Sequence, residues 1–217
     1  MSKKMVALFG GSGGLGSELV KYLADKYNVI SLSSKDVDIT NKEQVNSFFA
    51  NNDIDVVINL SGYNYDGFVH KLNDLDQSQI DHLLNVNING NINILSGCLP
   101  HMRKKSFGRI ILVSSILAEK IVPGTGLYSA TKSFIDTLSN VVSAENISKG
   151  ITCNTLRLGY FDGGMCHRID PRFTDSIKNS IGLKRWGSIE ELYKTVDYLI
   201  ETEYMTGQNI TVNGGLL

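Results

Sequence analysis

An unbroken apolar run, Met5-Val6-Ala7-Leu8-Phe9, passes without a spacer into Gly10-Gly11-Ser12-Gly13-Gly14-Leu15-Gly16, and from Leu15 onward the pattern turns helical. A strand buried on both faces reads as a continuous apolar run, because neither side of it meets water. Glycines gather where the backbone must take a positive φ or approach another group closely. Strand, glycine turn and helix in immediate succession leave few folds open, and the same alternation continues along the chain. Further strand-like runs are Asn28–Leu32, Asp55–Leu60, Arg109–Ser114, Thr152–Leu158 and Asn209–Val212, with a weaker one at Val37–Ile39. Helical patterns occupy Gly14–Lys26, Lys42–Asn51, Gln77–Lys105, Tyr128–Lys149 and Ile189–Glu201, and Thr40-x-x-Glu43 reads as a capping box for the second. The alternation predicts an α/β fold: a single doubly wound parallel sheet of Rossmann type, with about seven strands and helices on both faces.

No linker, repeat or shift in composition divides the 217 residues, so one domain over residues 1–217 is expected. Net charge is −1 with both signs scattered, which gives no footprint for nucleic acid or an anionic membrane. No segment approaches the ~20 apolar residues of a membrane span. The run Met5–Phe9 is too short for a signal peptide, so a cytoplasmic location is expected. Cys98, Cys153 and Cys166 lie far apart, and His70, His82, His101 and His167 have no ligand spacing. Neither a disulfide framework nor a metal site is expected.

In such a sheet ligands bind beyond the carboxyl ends of the strands, and the residues that carry chemistry fall there. The N–H groups opening the first helix lack partners and suit the pyrophosphate of a dinucleotide. Gly10, Ser12, Gly13, Gly14, Leu15 and Gly16 are the candidates; Gly11-x-Gly13-x-x-Gly16, Gly10-x-x-x-Gly14-x-Gly16 and Gly10-x-x-Gly13-x-x-Gly16 all fit a dinucleotide turn. After the second strand, an acid would bind a ribose 2′-hydroxyl and repel a 2′-phosphate. Ser33, Ser34 and Lys35 stand there instead, so NADP(H) is favoured over NAD(H); Asp36 follows at once and could supply the acid in a tighter turn.

Tyr128 and Lys132 are four apart on a helical pattern, and Ser115 lies thirteen residues before the tyrosine. Residues at that spacing share a helix face. An ammonium beside a phenol is expected to pull the phenol pKa below its usual value of about 10, making an acid/base device. Tyr22 and Lys26 have the same spacing but Phe9 in the serine position, and read as a solvated helix end. Ser114 is the rival of Ser115; strand alternation turns the two to opposite faces.

These motifs resemble the short-chain dehydrogenase/reductase family, and within it reductases similar to 3-oxoacyl-acyl-carrier-protein reductase. The resemblance spans the chain: the Gly10/Gly14/Gly16 turn, Asp38-Ile39, Asn59-Leu60-Ser61-Gly62, Asn87, Gly108 to Ser115, Tyr128/Lys132, and Thr206-Gly207-Gln208 with Val212-Asn213-Gly214-Gly215. It implies that Asp38 binds the adenine amino group beside the Ile39 backbone, and that Asn59, Ser61 and Gly62 pass the adenine ribose. It adds Asn87 to Ser115, Tyr128 and Lys132 as a catalytic tetrad, and carries Gly159 and Phe161 past the nicotinamide. Phe9, Leu60, Ser61 and Leu158 depart from the family's usual threonine, asparagine, alanine and proline. Gly163 stands where many relatives have a threonine that bonds the carboxamide.

The expected activity is reduction of a carbonyl, on a small molecule or an acyl thioester, to a secondary alcohol. The other readings are an NAD-dependent secondary-alcohol dehydrogenase and a non-catalytic dinucleotide sensor. Residues 160–186 form a candidate substrate lid, with Gly163-Gly164 as hinge. The lid mixes Phe161, Met165, Phe173 and Trp186 with the cations His167, Arg168, Arg172, Lys184 and Arg185, which suit either an anionic substrate or solvent. Arg103-Lys104-Lys105 reads as charge at a helix carboxyl end rather than a carrier-protein dock. By the same resemblance, assembly as a homotetramer or homodimer through the long helices is expected.

Overall fold

The computed structural model describes residues 3–164, 166 and 169–216. Six parallel strands form one sheet: β1 (Met5–Phe9), β2 (Asn28–Leu32), β3 (Val56–Asn59), β4 (Gly108–Ser115), β5 (Ile151–Leu158) and β6 (Asn209–Val212). Their order is β2-β1-β3-β4-β5-β6, so the strand order reverses between β1 and β3. That reversal is the switch point at which open α/β sheets bind ligands.

The helices are α1 (Gly14–Ala24), α2 (Lys42–Asn51), α3 (Gln77–Leu84), α4 (Gly90–Lys105), α5 (Gly126–Asn146), α6 (Pro171–Ser180) and α7 (Ile189–Glu201). Strand periodicity sorts the core into two layers. Ala7, Phe9, Val57, Ile110 and Leu112 meet Phe49 of α2, Ile94 of α4 and Ile135 of α5 on one face. Val6, Leu8, Ile58, Ile111 and Leu156 meet Leu19 of α1 and Val196 of α7 on the other. A sheet with both faces covered in this way has no polar side to show, which is why its strands read as solid apolar runs.

Three expectations are corrected. Val37–Ile39 is not a strand, so the sheet has six strands rather than about seven. Ser33 O accepts from Asp36 N and Val37 N, coiling the segment into a turn, while Val37 and Ile39 are buried as core. The cap of α2 is Asn41, whose side chain accepts from Gln44 N at 3.0 Å, rather than Thr40 with Glu43. The long helix expected over Gln77–Lys105 is interrupted by a π-helical turn at Asn85–Asn89. The expected lid contains α6, begun by Asp170, whose carboxylate accepts from Arg172 N, with Pro171 at the first turn.

The segment expected to be a lid is tied down at its root. Gly187 N donates to Tyr160 O at 2.9 Å and Asp162 N to Gly187 O at 2.8 Å. Gly163 and Gly164 both take positive φ, 139° and 56°. Of the lid residues, Met165, His167 and Arg168 lie outside the described residues. Among the described residues no helix is long and apolar enough to cross a membrane, and no group of three or more side chains could hold a metal ion.

Candidate active site

Strand β4 delivers Ser115 as its last residue, where its side chain accepts from Leu117 N at 3.1 Å and starts a short 3-10 turn. The Ser115 hydroxyl is hydrogen-bonded to the hydroxyl of Tyr128 on α5. Ser114 faces elsewhere, its hydroxyl donating to Lys132 O at 3.2 Å and fastening β4 to α5. Strand alternation therefore separates the two serines as expected. Lys132 Nζ donates to Val113 O at 2.9 Å and lies 5.5 Å from the Tyr128 ring centroid. The other pair has a different fate: α1 ends at Ala24, Tyr22 stacks on Tyr193, and Lys26 bridges to Asp197.

The π turn carries Asn87 inward to complete burial. Asn87 Nδ2 donates to Tyr63 O and Thr131 Oγ1, and its Oδ1 accepts from Tyr63 N at 2.8 Å. Asn91 donates to Asn87 O at 2.8 Å and accepts from Asn59 Nδ2 at 2.9 Å. Buried amides of this kind have to be paired, and the asparagine run supplies the partners: Asn87, Asn91 and Asn93 are bonded inward, while Asn85 and Asn89 bond each other at the surface. A Cβ added at exposed Gly62 would lie 3.4 Å from Lys132 Nζ and 3.8 Å from Asn87 Oδ1. Gly62 thus opens the approach to the lysine.

The electrostatics reverse one expectation. Burial pushes the Tyr128 phenol up to about 12, with only the Ser115 hydrogen bond pulling the other way. Burial also brings Lys132 down to about 8, opposed by the Asp136 carboxylate one turn along α5. The ammonium donates to a backbone carbonyl, and the buried phenol gains nothing from it. Spacing correctly brought the two residues to one face, but desolvation disfavours the charged form of each.

A buried amine lowered from 10.5 to about 8 binds fewer protons folded than unfolded between those values, so it makes stability rise with pH across that window. Below pH 8 the cost of the buried charge is fully present. Tyr128, and Cys153 pushed up to about 12, act oppositely at higher pH. The stability of the protein minus that of Lys132→Met, from denaturant melts, will therefore increase as pH rises from 8 towards 10.5. A flat difference would mean that Lys132 keeps the ordinary pKa of a solvated amine in the folded protein.

The glycine turn fits a dinucleotide phosphate. Gly13 caps α1 with extended backbone and no side-chain hydrogen bond, and Ser12, Gly13 and Gly14 are exposed. Gly10 has φ 79°, and a Cβ at Gly16 would sit 2.2 Å from Gly10 O. The Gly163-Gly164 pair approaches the turn: a Cβ at Gly14 would meet Gly164 N at 2.3 Å, and Gly163 lies against Leu15. Asp38 Oδ1 accepts from Thr40 N and Oγ1, while Ile39 packs its side chain against Gly90. Ser61 N donates to Asn59 Oδ1 at 2.9 Å. Ser33 gives both its N–H and its hydroxyl to Asp36 Oδ2, at 2.8 and 2.6 Å; Ser34 and Lys35 are exposed. Gly159 is packed against Asn213, and the Phe161 ring is buried in the core.

The three described cations among those singled out at 160–186 are engaged locally. Arg172 pairs with Asp170, Arg185 with Glu191, and Lys184 bonds Asn179 O. Arg103 reaches Asn146 and Lys105 pairs with Asp53 and Asp55, as suits the carboxyl end of α4. Two features had no signal in the sequence. The Asp136–Arg157 ion pair behind Lys132 has an N–O distance of 2.7 Å. Asp66 accepts from the first turn of α5, sixty-two positions away from Tyr128.

A family model described as enoyl-(acyl carrier protein) reductase matches residues 6–217. The chain is 32% identical over 165 residues to an acetoacetyl-CoA reductase of Allochromatium vinosum, covering 75% of this chain and 66% of that one. It is 30% identical over 177 residues to a 3-oxoacyl-acyl-carrier-protein reductase of Staphylococcus epidermidis, covering 81% and 70%. A solved structure described as ElxO with NADP bound superposes with a TM-score of 0.85 over 99% of this chain and 98% of that one, at 23% identity, a likeness of fold. With a match running from β1 to the end of the chain, over a sheet of this order, the protein belongs to the short-chain dehydrogenase/reductase family of oxidoreductases.

Proposed function

We propose that the protein reduces a carbonyl to a secondary alcohol with NADP(H), with 3-oxoacyl thioesters as the first substrate class. The observation that carries this is the Ser115–Tyr128 hydroxyl pair at the carboxyl end of β4, with Lys132 beside it and exposed Gly62 next to the lysine. Two relatives bear the names of acetoacetyl-CoA and 3-oxoacyl-acyl-carrier-protein reductase, which supports the thioester class.

The proposed roles follow from each group's chemistry. Ser115 donates a hydrogen bond to the substrate carbonyl oxygen and polarises it. Tyr128 gives its proton to that oxygen as negative charge develops there; a phenol at about 12 is fully protonated at neutrality and well matched to an alkoxide. A bound nicotinamide supplies the hydride to the carbonyl carbon. Lys132 would hold the ribose hydroxyls of the bound nucleotide, and Asn87, through water, would link the lysine to solvent. Ser12 to Leu15 would hold the pyrophosphate, Asp38 and Ile39 the adenine, Asn59, Ser61 and Gly62 the adenine ribose, and Gly159 and Phe161 the nicotinamide. Residues 160–186 close over the substrate. A homodimer or homotetramer through α4 and α5 belongs to the same reading; exposed Ile92 and Val141 offer the apolar surface.

NADP(H) rests on Lys35 as the cation for a 2′-phosphate, with Ser33 and Ser34 as donors, and accords with the NADP in the similar ElxO structure. One observation favours the NAD-dependent dehydrogenase instead: Asp36 holds both donors of Ser33. Lys35→Ala will raise the KM for NADPH about tenfold, the worth of one charge-assisted bond, and leave that for NADH unchanged. Equal KM shifts for both nucleotides would take Lys35 out of the phosphate site. Assaying NADPH and NADH consumption against 3-oxoacyl thioesters, quinones, small ketones and keto-sugars tests the whole reading. Tight nucleotide binding without turnover on any of them would favour a sensor.

A further inference from the structure

Helix α5 carries both Tyr128 and Lys132, yet nothing in its own sequence caps it. Its N-cap, Thr125, makes no side-chain cap, and its hydroxyl is taken by Val122 O at 2.8 Å and by Ser129 Oγ at 3.1 Å. The next residue, Gly126, has no side chain to offer. The unpaired N–H groups of the first turn are met from another part of the chain. Asp66 Oδ1 accepts from Leu127 N and Asp66 Oδ2 from Tyr128 N, both at 3.1 Å. Asp66 Oδ1 also accepts from Gly67 N at 3.0 Å, which fixes the carboxylate on its own loop.

That loop is bonded to residues of the candidate site at Ser61 and at Tyr63. Ser61 N donates to Asn59 Oδ1, and Tyr63 exchanges two hydrogen bonds with the side chain of Asn87. Beyond Asp66, the loop continues against the start of α5, where a Cβ on Gly126 would touch Val69 at 3.4 Å. The segment from Asn59 to Asp66 is therefore a strap running from the carboxyl end of β3, past the π turn, to the N–H of Tyr128 itself.

We propose that Asp66 is a positioning residue, which pins the first turn of α5 so that the Tyr128 hydroxyl meets Ser115. It acts through Tyr128 and touches neither substrate nor nucleotide; the catalytic consequence rests on the function proposed above. A carboxylate at the amino end of a helix satisfies its unpaired donors and opposes the positive end of its dipole. With the anchor removed, the first turn of α5 has only water to bond, and the Tyr128 backbone is free to shift. A displacement of about 1 Å is enough to lower a rate about 100-fold where geometry limits chemistry.

The test uses the full-length protein with Asp66→Ala and Asp66→Asn. Three measurements are made: amide hydrogen exchange at Leu127 and Tyr128, the NMR resonance of Tyr128 in protein with ring-labelled tyrosine (assigned by its loss in Tyr128→Phe), and kcat with the NADPH dissociation constant. Asp66→Ala will speed exchange at both amides by about tenfold or more, move the Tyr128 resonance, and lower kcat about 10- to 100-fold with NADPH binding unchanged. Asp66→Asn, which keeps an acceptor oxygen, will restore most of the rate and protection. Unchanged exchange and resonance in Asp66→Ala overturn the assignment, as does a wild-type kcat in a variant whose α5 has loosened. A wild-type protein inactive on every carbonyl, in which Asp66→Ala still frees the two amides and moves the resonance, retires the reductase reading and upholds the pinning of Tyr128.

Discussion

Tyr128→Phe will lower kcat for carbonyl reduction by about 10²–10⁴-fold, the usual worth of positioned general acid/base catalysis. The NADPH dissociation constant will change little, because the ring stays and only the hydroxyl goes. Tyr128 is buried and its hydroxyl has Ser115 as partner, so the variant leaves one serine hydroxyl without its mate. The phenylalanine ring itself fills the same space as before. Stability should fall by no more than about 1–3 kcal/mol, the cost of one buried polar group losing its partner. Steady-state kinetics beside nucleotide titration reads both numbers. A variant that turns over at the parent's rate would remove Tyr128 from the mechanism.

The second large effect is on the frame behind Lys132. Arg157 of β5 bonds Asp136 of α5 at 2.7 Å through Nε and Glu119 at 2.6 Å through its guanidinium end. Asp136 also accepts from Thr155 Oγ1 at 2.8 Å. Its side chain is 5% exposed and that of Arg157 is 19% exposed. Removing one member of such a pair strands the other charge away from water, whereas replacing both with apolar groups costs little. Arg157→Met will destabilise the protein by about 3 kcal/mol, and the double variant Arg157→Met/Asp136→Leu will recover most of that loss. Thermal or urea melts of the two single variants and the double close the cycle. Equal losses for the single and the double variant would mean that the pair is not acting as a unit. Asp136 is also the carboxylate that opposes the lowering of Lys132, so the same residues link the sheet to the site's electrostatics.

Much of the architecture could be read directly because it depends on local pattern. Strands buried on both faces leave solid apolar runs, and all six appear in the sequence within one residue of their observed ends. The glycine turn was legible for the same kind of reason: Gly10 and Gly16 answer to backbone constraints that sequence records one residue at a time. What escaped is set by contacts between distant segments. Val37 and Ile39 look like a strand but are anchored as side chains while their backbone coils, through the bond of Ser33 to Asp36. The π turn has no signature beyond a run of asparagines, and it is the turn that carries Asn87 to the centre of the polar network. Asp66 and Arg157 meet partners far along the chain, so no spacing announces them.

The pKa of Tyr128 is the most instructive difference. A pair four residues apart correctly forecasts that phenol and amine share a face, yet the sign of the shift depends on how dry that face is. Here Tyr128 and Lys132 are both buried, and desolvation sets the direction of both shifts. The proposed reaction calls for the phenol to start protonated, so a raised value suits reduction better than the lowered one that spacing suggested.

Incubation of the protein with NADPH deuterated at the transferring position of the nicotinamide and a 3-oxoacyl thioester, followed by mass spectrometry of the product, puts the proposal to its most direct trial. The expected result is a 3-hydroxyacyl thioester with deuterium on the carbinol carbon, formed by the parent protein and lost with Tyr128→Phe. Deuterium retained on the nucleotide, with the thioester, quinone, ketone and keto-sugar substrates all returned unreduced by a protein that binds NADPH, would contradict it.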